Sequence, residues 1–290
     1  MLVIFGLGYT AERIAARWPD AVVGTTRDGR NGTLRFGDDA AVHAAIGAAT
    51  HILSSVPPGD DGDPVLNRYG HAFGDRWLGY LSSTGVYGDA GGGWVDEATP
   101  VAGRRAARNA ADIAWLARGA RVFRLPGIYG PDRSPLTRVG DGKAHRVDVP
   151  GQVFSRVHVD DIASGVLAAI SAPAGAYNLA DDLPASHNRV SEFAATLLGC
   201  PPPPFVPLDT LSPMGRSFYA ENRRVANGKA KRVLGWAPTY PTYREGLRAL
   251  RAMMSPTPAS TAPAPAKSDQ RYPSNNVESS IAMTGTMTLE

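Results

Sequence analysis

Cysteine is almost missing from this chain. Cys200 stands alone among 290 residues, so no internal disulfide can form and no cysteine series is present to hold a metal. The six histidines lack the H-E-x-x-H spacing, and no metal site is expected. No apolar run reaches the length of a membrane span, and the N-terminus has neither a basic leader nor an apolar segment of signal length. A cytoplasmic protein without a membrane partner is expected. Charge is not concentrated either: 30 basic and 27 acidic residues are scattered, with no Lys/Arg block and no interleaved aromatic run, which argues against a nucleic-acid partner. Cys200 itself reads as a bland residue at a helix end.

What is present begins at residue 2, with LVIFGLGYTAERIAARW. Leu2, Val3, Ile4 and Phe5 form a continuous apolar run that suits a parallel strand buried on both faces. Gly6, Gly8 and Ala11 then fill the three small positions of G-x-G-x-x-G/A. Gly6 allows a tight turn, Gly8 lets backbone amides approach a pyrophosphate, and Ala11 lets the next helix pack closely with its N-terminus toward the anion. Gly6, Gly8, Tyr9, Thr10 and Ala11 are therefore the expected cofactor contacts on the phosphate side. From Ala11 the residues Ile14, Ala15 and Trp18 return at helical spacing, and Pro19 ends the run.

Residues 21–25 read as a second strand, followed by Thr26 and Arg27 where an adenosine ribose should lie. A cation there accommodates a 2′-phosphate, so NADP is expected rather than NAD, with a solvated loop arginine as the alternative. Residues 34–36 read as a short third strand that leaves Asp38 placed to touch the adenine. A helix over 40–49, a strand over 51–56 stopped by Pro57 and Pro58, and a helix over 64–73 follow. A fifth strand over 77–81 runs into Ser82, Ser83 and Thr84. Gly6, Thr26, Ser54 and Ser83 thus stand at strand ends, where doubly wound sheets bind ligands. Further on, a strand is expected over 121–125 and 176–179, and helices over 162–170, 191–198, 223–234 and 243–253, the last burying Leu247 and Leu250. The prolines at 201–204 force an extended segment. Residues 255–290, rich in Pro, Ala, Ser and Thr, are expected to be a disordered tail. The alternation predicts an α/β fold: a doubly wound parallel Rossmann sheet over 1–131, completed by about 157–180, with a small C-terminal substrate lobe from 132–156 and 181–254.

Five segments in order, SSTGVYGD at 82–89, RLPGIYGP at 124–131, VHVDDIA at 157–163, YNLAD at 177–181 and LGWAP at 234–238, resemble the extended short-chain dehydrogenase/reductases, the group of nucleotide-sugar epimerases and dehydratases. The resemblance covers about residues 1–254, and is narrower still to the atypical branch of small bacterial NAD-dependent epimerase/dehydratase-like proteins and NAD(P)-dependent oxidoreductases. It implies that Ser83 hydrogen-bonds the substrate oxygen where hydride is added or removed. It places Thr84 where some dehydratases carry an acid, and the backbone of Pro126 and Gly127, with Ile128, along the nicotinamide. Related proteins often pair through helices flanking this strand, which implies a homodimer.

The family's Y-x-x-x-K pair is missing. Between residues 96 and 115 there is no tyrosine and no lysine; the spacing is carried by Arg104 and Arg108, with Asp112 where the family often has Glu. Arg108 is suited to anchor the ribose hydroxyls, whereas a guanidinium at position 104 neither gives nor takes protons usefully near neutrality. Three readings stand open. Tyr87, Tyr129 or water supplies the proton, with Tyr87 first because it adjoins Ser83; or Arg104 stabilises an alkoxide or enolate while water carries the proton; or the protein binds NADP as a non-catalytic sensor or regulatory protein. The run RRAAR also reads as a solvated helix face. Arg133, Arg138, Lys143 and Arg146 read either as a lid for a phosphate or carboxylate or as a solvated loop. Phe154 stands where nucleotide-sugar enzymes place a substrate-binding arginine, the nearest here being Arg156, which weakens the case for such a substrate. His158, Asp160 and Asp161 read as a helix start and cap. Together these imply NADP-dependent hydride chemistry on a carbonyl or hydroxyl of a small, anionic metabolite.

Overall fold

The computed structural model describes residues 1–254; residues 255–290, where the tail is expected, lie outside the described part. The first half of the chain runs β1 (Leu2–Phe5), α1 (Tyr9–Ala15), β2 (Val22–Thr26), β3 (Leu34–Arg35), α2 (Asp39–Ala48), β4 (His51–Ser54), α3 (Pro64–Tyr69), β5 (Trp77–Ser83), β6 (Trp94–Val95) and α4 (Ala106–Ala117). It continues through β7 (Arg121–Leu125), β8 (Gly127–Tyr129), α5 (Pro135–Gly140), β9 (Arg156–His158), α6 (Val159–Ala168) and β10 (Gly175–Asn178). The last elements are α7 (His187–Leu198), α8 (Pro213–Phe218), β11 (Arg224–Val225), α9 (Gly228–Leu234) and α10 (Tyr243–Met254).

Seven strands form one parallel sheet in the order β10-β7-β5-β4-β1-β2-β3, the doubly wound Rossmann arrangement. The strand order reverses at β1, which lies between β2 and β4, so a crevice opens beyond its carboxyl end at Gly6. All four side chains of β1 are fully buried, and their alternation divides them between two core layers. Leu2 and Ile4 pack with Ala11 and Ile14 of α1 and Ile162 and Val166 of α6. Val3 and Phe5 pack on the other face with Val42 and Ile46 of α2 and Trp115 of α4. Each such side chain contributes about 1.5–3 kcal/mol of burial, which anchors the crevice to the most protected strand. A separate core of Leu136, Val190, Ala194, Leu247 and Leu250 joins α5, α7 and α10. Ala230 of α9 and Trp236 pack instead with the sheet, so 181–254 does not divide cleanly from the Rossmann core.

Several boundaries differ from the sequence expectation for local reasons. Helix α1 starts at Tyr9, directly after Gly8, and ends at Ala15, leaving Trp18 in the following turn. Helix α7 starts four residues earlier than 191, because the Ser186 side chain caps it by accepting from the Arg189 amide. The helix expected over 223–234 is split. Arg224 and Val225 pair with Trp94 and Val95 in a second small sheet, and the buried Val225 holds that segment extended until α9 begins at Gly228.

Candidate functional site

Two cavities open at the carboxyl ends of the strands, and Leu125 lines both. The first, of about 1000 Å³, follows the ends of β1, β2 and β4. Gly6 has φ of +80°, and a Cβ there would stand 2.9 Å from the Val56 side chain, so this turn requires glycine. Gly8 differs: a Cβ on it would meet nothing within 4 Å and would occupy open space beside the backbone. Gly8 caps α1 without any side-chain bond, and the first intrahelical bond is donated by Glu12 to the Gly8 carbonyl. The amides of Tyr9, Thr10 and Ala11 therefore lack carbonyl partners within the helix. Bare amides and a glycine without a clash are what a diphosphate needs, and the site fits that group.

Around this turn the walls are firmly placed. The Ser55 hydroxyl donates to the Gly6 carbonyl, the Tyr9 hydroxyl donates to the Pro131 carbonyl at 2.8 Å, and the Arg133 guanidinium lies 4.4 Å from the centre of the Tyr9 ring. At the end of β2 the Thr26 hydroxyl accepts from the amides of Gly29 (3.0 Å) and Arg30 (3.2 Å), which shapes the loop carrying Arg27 into the cavity. Arg27 is exposed and makes no hydrogen bond or ion pair with the described residues.

The second cavity, of about 690 Å³, lies between Ser83, Thr84, Pro126 and Gly127 on the sheet side and α8 with its flanking loops on the other. Six arginines, at 104, 105, 108, 138, 156 and 223, line it against one carboxylate, Glu221. Arg104 and Arg223 each approach Glu221 to 2.6 Å; the other four form no ion pair among the described residues. Burial would raise the Glu221 carboxyl, but its bonds to Arg223 and Arg104 outweigh that and hold it low. His145 and His187 also face this space. Burial lowers both, His187 to about 4, so near neutrality the positive charge of the wall is arginine alone. The Ser83 oxygen accepts from the Gly85 amide at 3.1 Å, which leaves its proton available to donate.

Several expected site residues stand elsewhere. Tyr87 lines neither cavity: its hydroxyl donates to Asn178 at 2.7 Å and accepts from Arg124 at 3.0 Å, and burial raises its pKa to about 12. Tyr129 is also buried, against Gly246, and burial pushes it above the ordinary range. Neither tyrosine is placed to supply the proton. Ser54 is wholly buried, and the next residue, Ser55, faces the first cavity in its place. Asp38 caps α2 by accepting from the Ala41 amide at 3.1 Å and does not line the cavity; Phe36 does. Arg104 precedes α4 instead of lying on it, so it shares no helix face with Arg108. Its Nε bonds Glu221 and its Nη2 donates to the Ser217 carbonyl at 2.8 Å, so this side chain ties the segment around α8 to the segment that leads into α4. Arg108, on α4, donates to the Tyr80 hydroxyl at 3.2 Å and lines the second cavity. Asp112 is buried beneath, paired with Arg124 at 2.7 Å and accepting from Ser82 at 2.6 Å. The basic segment 132–152 is divided. Arg133 joins the first cavity and Arg138 the second, while Lys143 pairs with Asp141 and Arg146 with Glu192. His158 caps α6 by accepting from the Asp160 amide, and Asp161 accepts from the amides of Thr239 and Tyr240. Arg105, His145, His187, Tyr219, Glu221 and Arg223 enter the site without any local pattern that announces them.

No family model matches the chain. A solved structure of a conserved protein of unknown function from Silicibacter pomeroyi is 41% identical, covers 87% of this chain and 98% of that one, and gives a TM-score of 0.80. A 3-diazoavenalumate denitrifying reductase from Streptomyces is 29% identical over 244 residues, which is 79% of this chain and 73% of the reductase. The UDP-glucose 4-epimerase of Thermus thermophilus, solved in complex with NAD, shares the fold at 18% identity, with a TM-score of 0.67 over 87% of this chain and 98% of the epimerase.

Proposed function

We propose that this chain, whose ordered motifs resemble those of the extended short-chain dehydrogenase/reductases and whose fold is shared with an NAD-bound UDP-glucose 4-epimerase, binds NADP along the first cavity and passes hydride between that cofactor and a small anionic substrate in the second. The observation that carries the substrate side of this proposal is the excess of arginine over carboxylate around Ser83. When bound, the cofactor would supply or accept the hydride, and Leu125, which lines both cavities, marks where they meet.

The residues divide the remaining work. The amides after Gly8 take the diphosphate, and Arg27 takes the 2′-phosphate. Ser83, its oxygen already accepting from Gly85, donates its proton as a hydrogen bond to the substrate oxygen. Arg108 stays cationic throughout and stabilises negative charge that develops on that oxygen. With Tyr87 and Tyr129 withdrawn, the proton that completes a reduction comes from water reaching the second cavity.

The locked Tyr87 and the missing Tyr/Lys pair favour a second reading, an NADP-binding regulatory protein without turnover. One experiment separates the two. NADPH oxidation is followed against a panel of carbonyl-bearing carboxylic acids, and Ser83→Ala is expected to lower kcat by about 100-fold or more while leaving NADPH affinity unchanged. Tight NADPH binding with no oxidation across the panel supports the regulatory reading; an undiminished rate in Ser83→Ala contradicts the role given to Ser83.

A further inference from the structure

Among the arginines of the second cavity that form no ion pair with the described residues, Arg156 is held by the most hydrogen bonds. It lies on β9 opposite Gly127, and a Cβ on that glycine would lie 3.6 Å from Arg156 Cγ, so its stem runs along the backbone expected beside the nicotinamide. Its Nη1 donates to the carbonyls of Phe154 (2.8 Å) and Ala185 (2.9 Å). The opposite edge, Nε and Nη2, has no acceptor among the described residues, and the side chain forms no ion pair there. A guanidinium pinned along one edge presents the other as a fixed fork whose spacing matches the two oxygens of a carboxylate. Burial draws this group below the usual arginine range, so an anion on the open edge relieves a cost the fold already carries.

Beside that fork stands an aromatic corner. The rings of Phe154 and Tyr219 lie 5.6 Å apart at 90°, both facing the cavity, and the Arg156 guanidinium is 6.0 Å from the Phe154 ring centre. Phe218 and Met214 of α8, 61% and 70% exposed, extend apolar surface from the same wall. Two perpendicular rings receive a flat ring edge to face.

We infer that the second cavity takes an aromatic carboxylate, its acid group held side-on by Nε and Nη2 of Arg156 and its ring in the Phe154–Tyr219 corner, an assignment that rests on this cavity being the substrate site. A nucleotide diphosphate is served less well. Its several charges would draw on Arg105, Arg108 and Arg138, which also line the cavity without an ion pair among the described residues, but the phenyl ring beside the Arg156 fork favours a flat aromatic group there, and UDP-glucose is therefore the competing probe.

The test is calorimetric titration of the whole chain saturated with NADP⁺, using trans-cinnamate, cinnamamide, hexanoate and UDP-glucose as probes. Cinnamate is expected to bind saturably, with the amide and the aliphatic acid each weaker by about tenfold or more. Arg156→Met should weaken cinnamate by about tenfold with cofactor affinity within about twofold, and Arg156→Lys should recover only part, because an ammonium lacks the fork. Equal binding of cinnamate and cinnamamide, or tighter binding of UDP-glucose, overturns the inference, and the acid-against-amide comparison on the unaltered protein decides it even if Arg156→Met does not fold. Cofactor affinity, measured first, keeps the two failures apart. Without it the dinucleotide proposal falls; with it intact and no preference for the acid, only this assignment does.

Discussion

Arg27 carries the choice between the two nicotinamide cofactors. Asp28 also lines this cavity, paired with Arg30 at 3.6 Å, while at the end of β2 the Thr26 hydroxyl is committed to the Gly29 and Arg30 amides. The next side chain is an unpaired cation facing the cavity. Arg27→Ala is therefore expected to weaken NADPH binding by about tenfold and to leave NADH within about twofold, as read by fluorescence titration. Equal losses for both cofactors would show that Arg27 does not select the 2′-phosphate. At this scale the glycine turn was legible because its chemistry is local: Gly6 needs positive φ and Gly8 needs empty space, whatever lies far away in the chain. The sequence pattern points to Ser54 where Ser55 faces the cavity, because successive residues leaving a strand point to opposite sides and one position changes core into cavity. Tyr87 adjoins Ser83 in the chain, but the 3-10 turn over Thr84–Tyr87 swings its ring toward Asn178 and Arg124.

Among elements, α8 and its flanking loops form the outer wall of the second cavity, and their attachment depends on few bonds. Glu221, with its side chain 11% exposed, takes both Arg104 and Arg223, and Arg104 also reaches the Ser217 carbonyl. Glu221→Gln leaves two guanidinium groups without their carboxylate at little change of volume. Amide exchange across 208–221 should then accelerate by about tenfold while the sheet keeps its protection. Unchanged exchange in that segment would mean that Arg104 and Glu221 do not hold it. None of this was visible in the sequence, since Arg104 and Glu221 stand 117 positions apart and each reads alone as a solvated charge. The alternation of strand and helix was visible, because burial on both faces of a parallel sheet writes continuous apolar runs. Helix starts were less so: His158 and Ser186 act as caps only in the conformations their neighbours impose.

For the molecule as a whole, buried and half-buried groups set opposing dependences of stability on acidity. His158 and His187 are depressed by burial to about 4 from 6.5, so they are neutral in the fold and charged in the unfolded chain; the stability they lend disappears as pH falls from 6.5 toward 4. Asp181, raised by burial to about 7 from 3.8, acts the other way, because the folded chain takes up its proton first as pH falls through 7. Asp161, also raised by burial, works on the same side as Asp181, so the two pairs of groups oppose one another on acidification. Asp181→Asn removes its share of the offset and also a buried charge. Urea melts should show the variant more stable than the parent above pH 7, by a few kcal/mol at most, with a steeper loss toward pH 4. Parallel curves for the two proteins would mean that Asp181 titrates as it does in the unfolded chain. The central claim, that the first cavity is a dinucleotide site, is tested most directly by titrating NADPH into the parent protein and Gly8→Asp. A Cβ at Gly8 meets nothing within 4 Å, so the variant should fold and melt as the parent does, yet its carboxylate would stand where the diphosphate belongs. Saturable binding by the parent, weakened by about 100-fold or more in Gly8→Asp, is the expected result; no binding by the parent at millimolar NADPH, or an unchanged affinity in the variant, would contradict it.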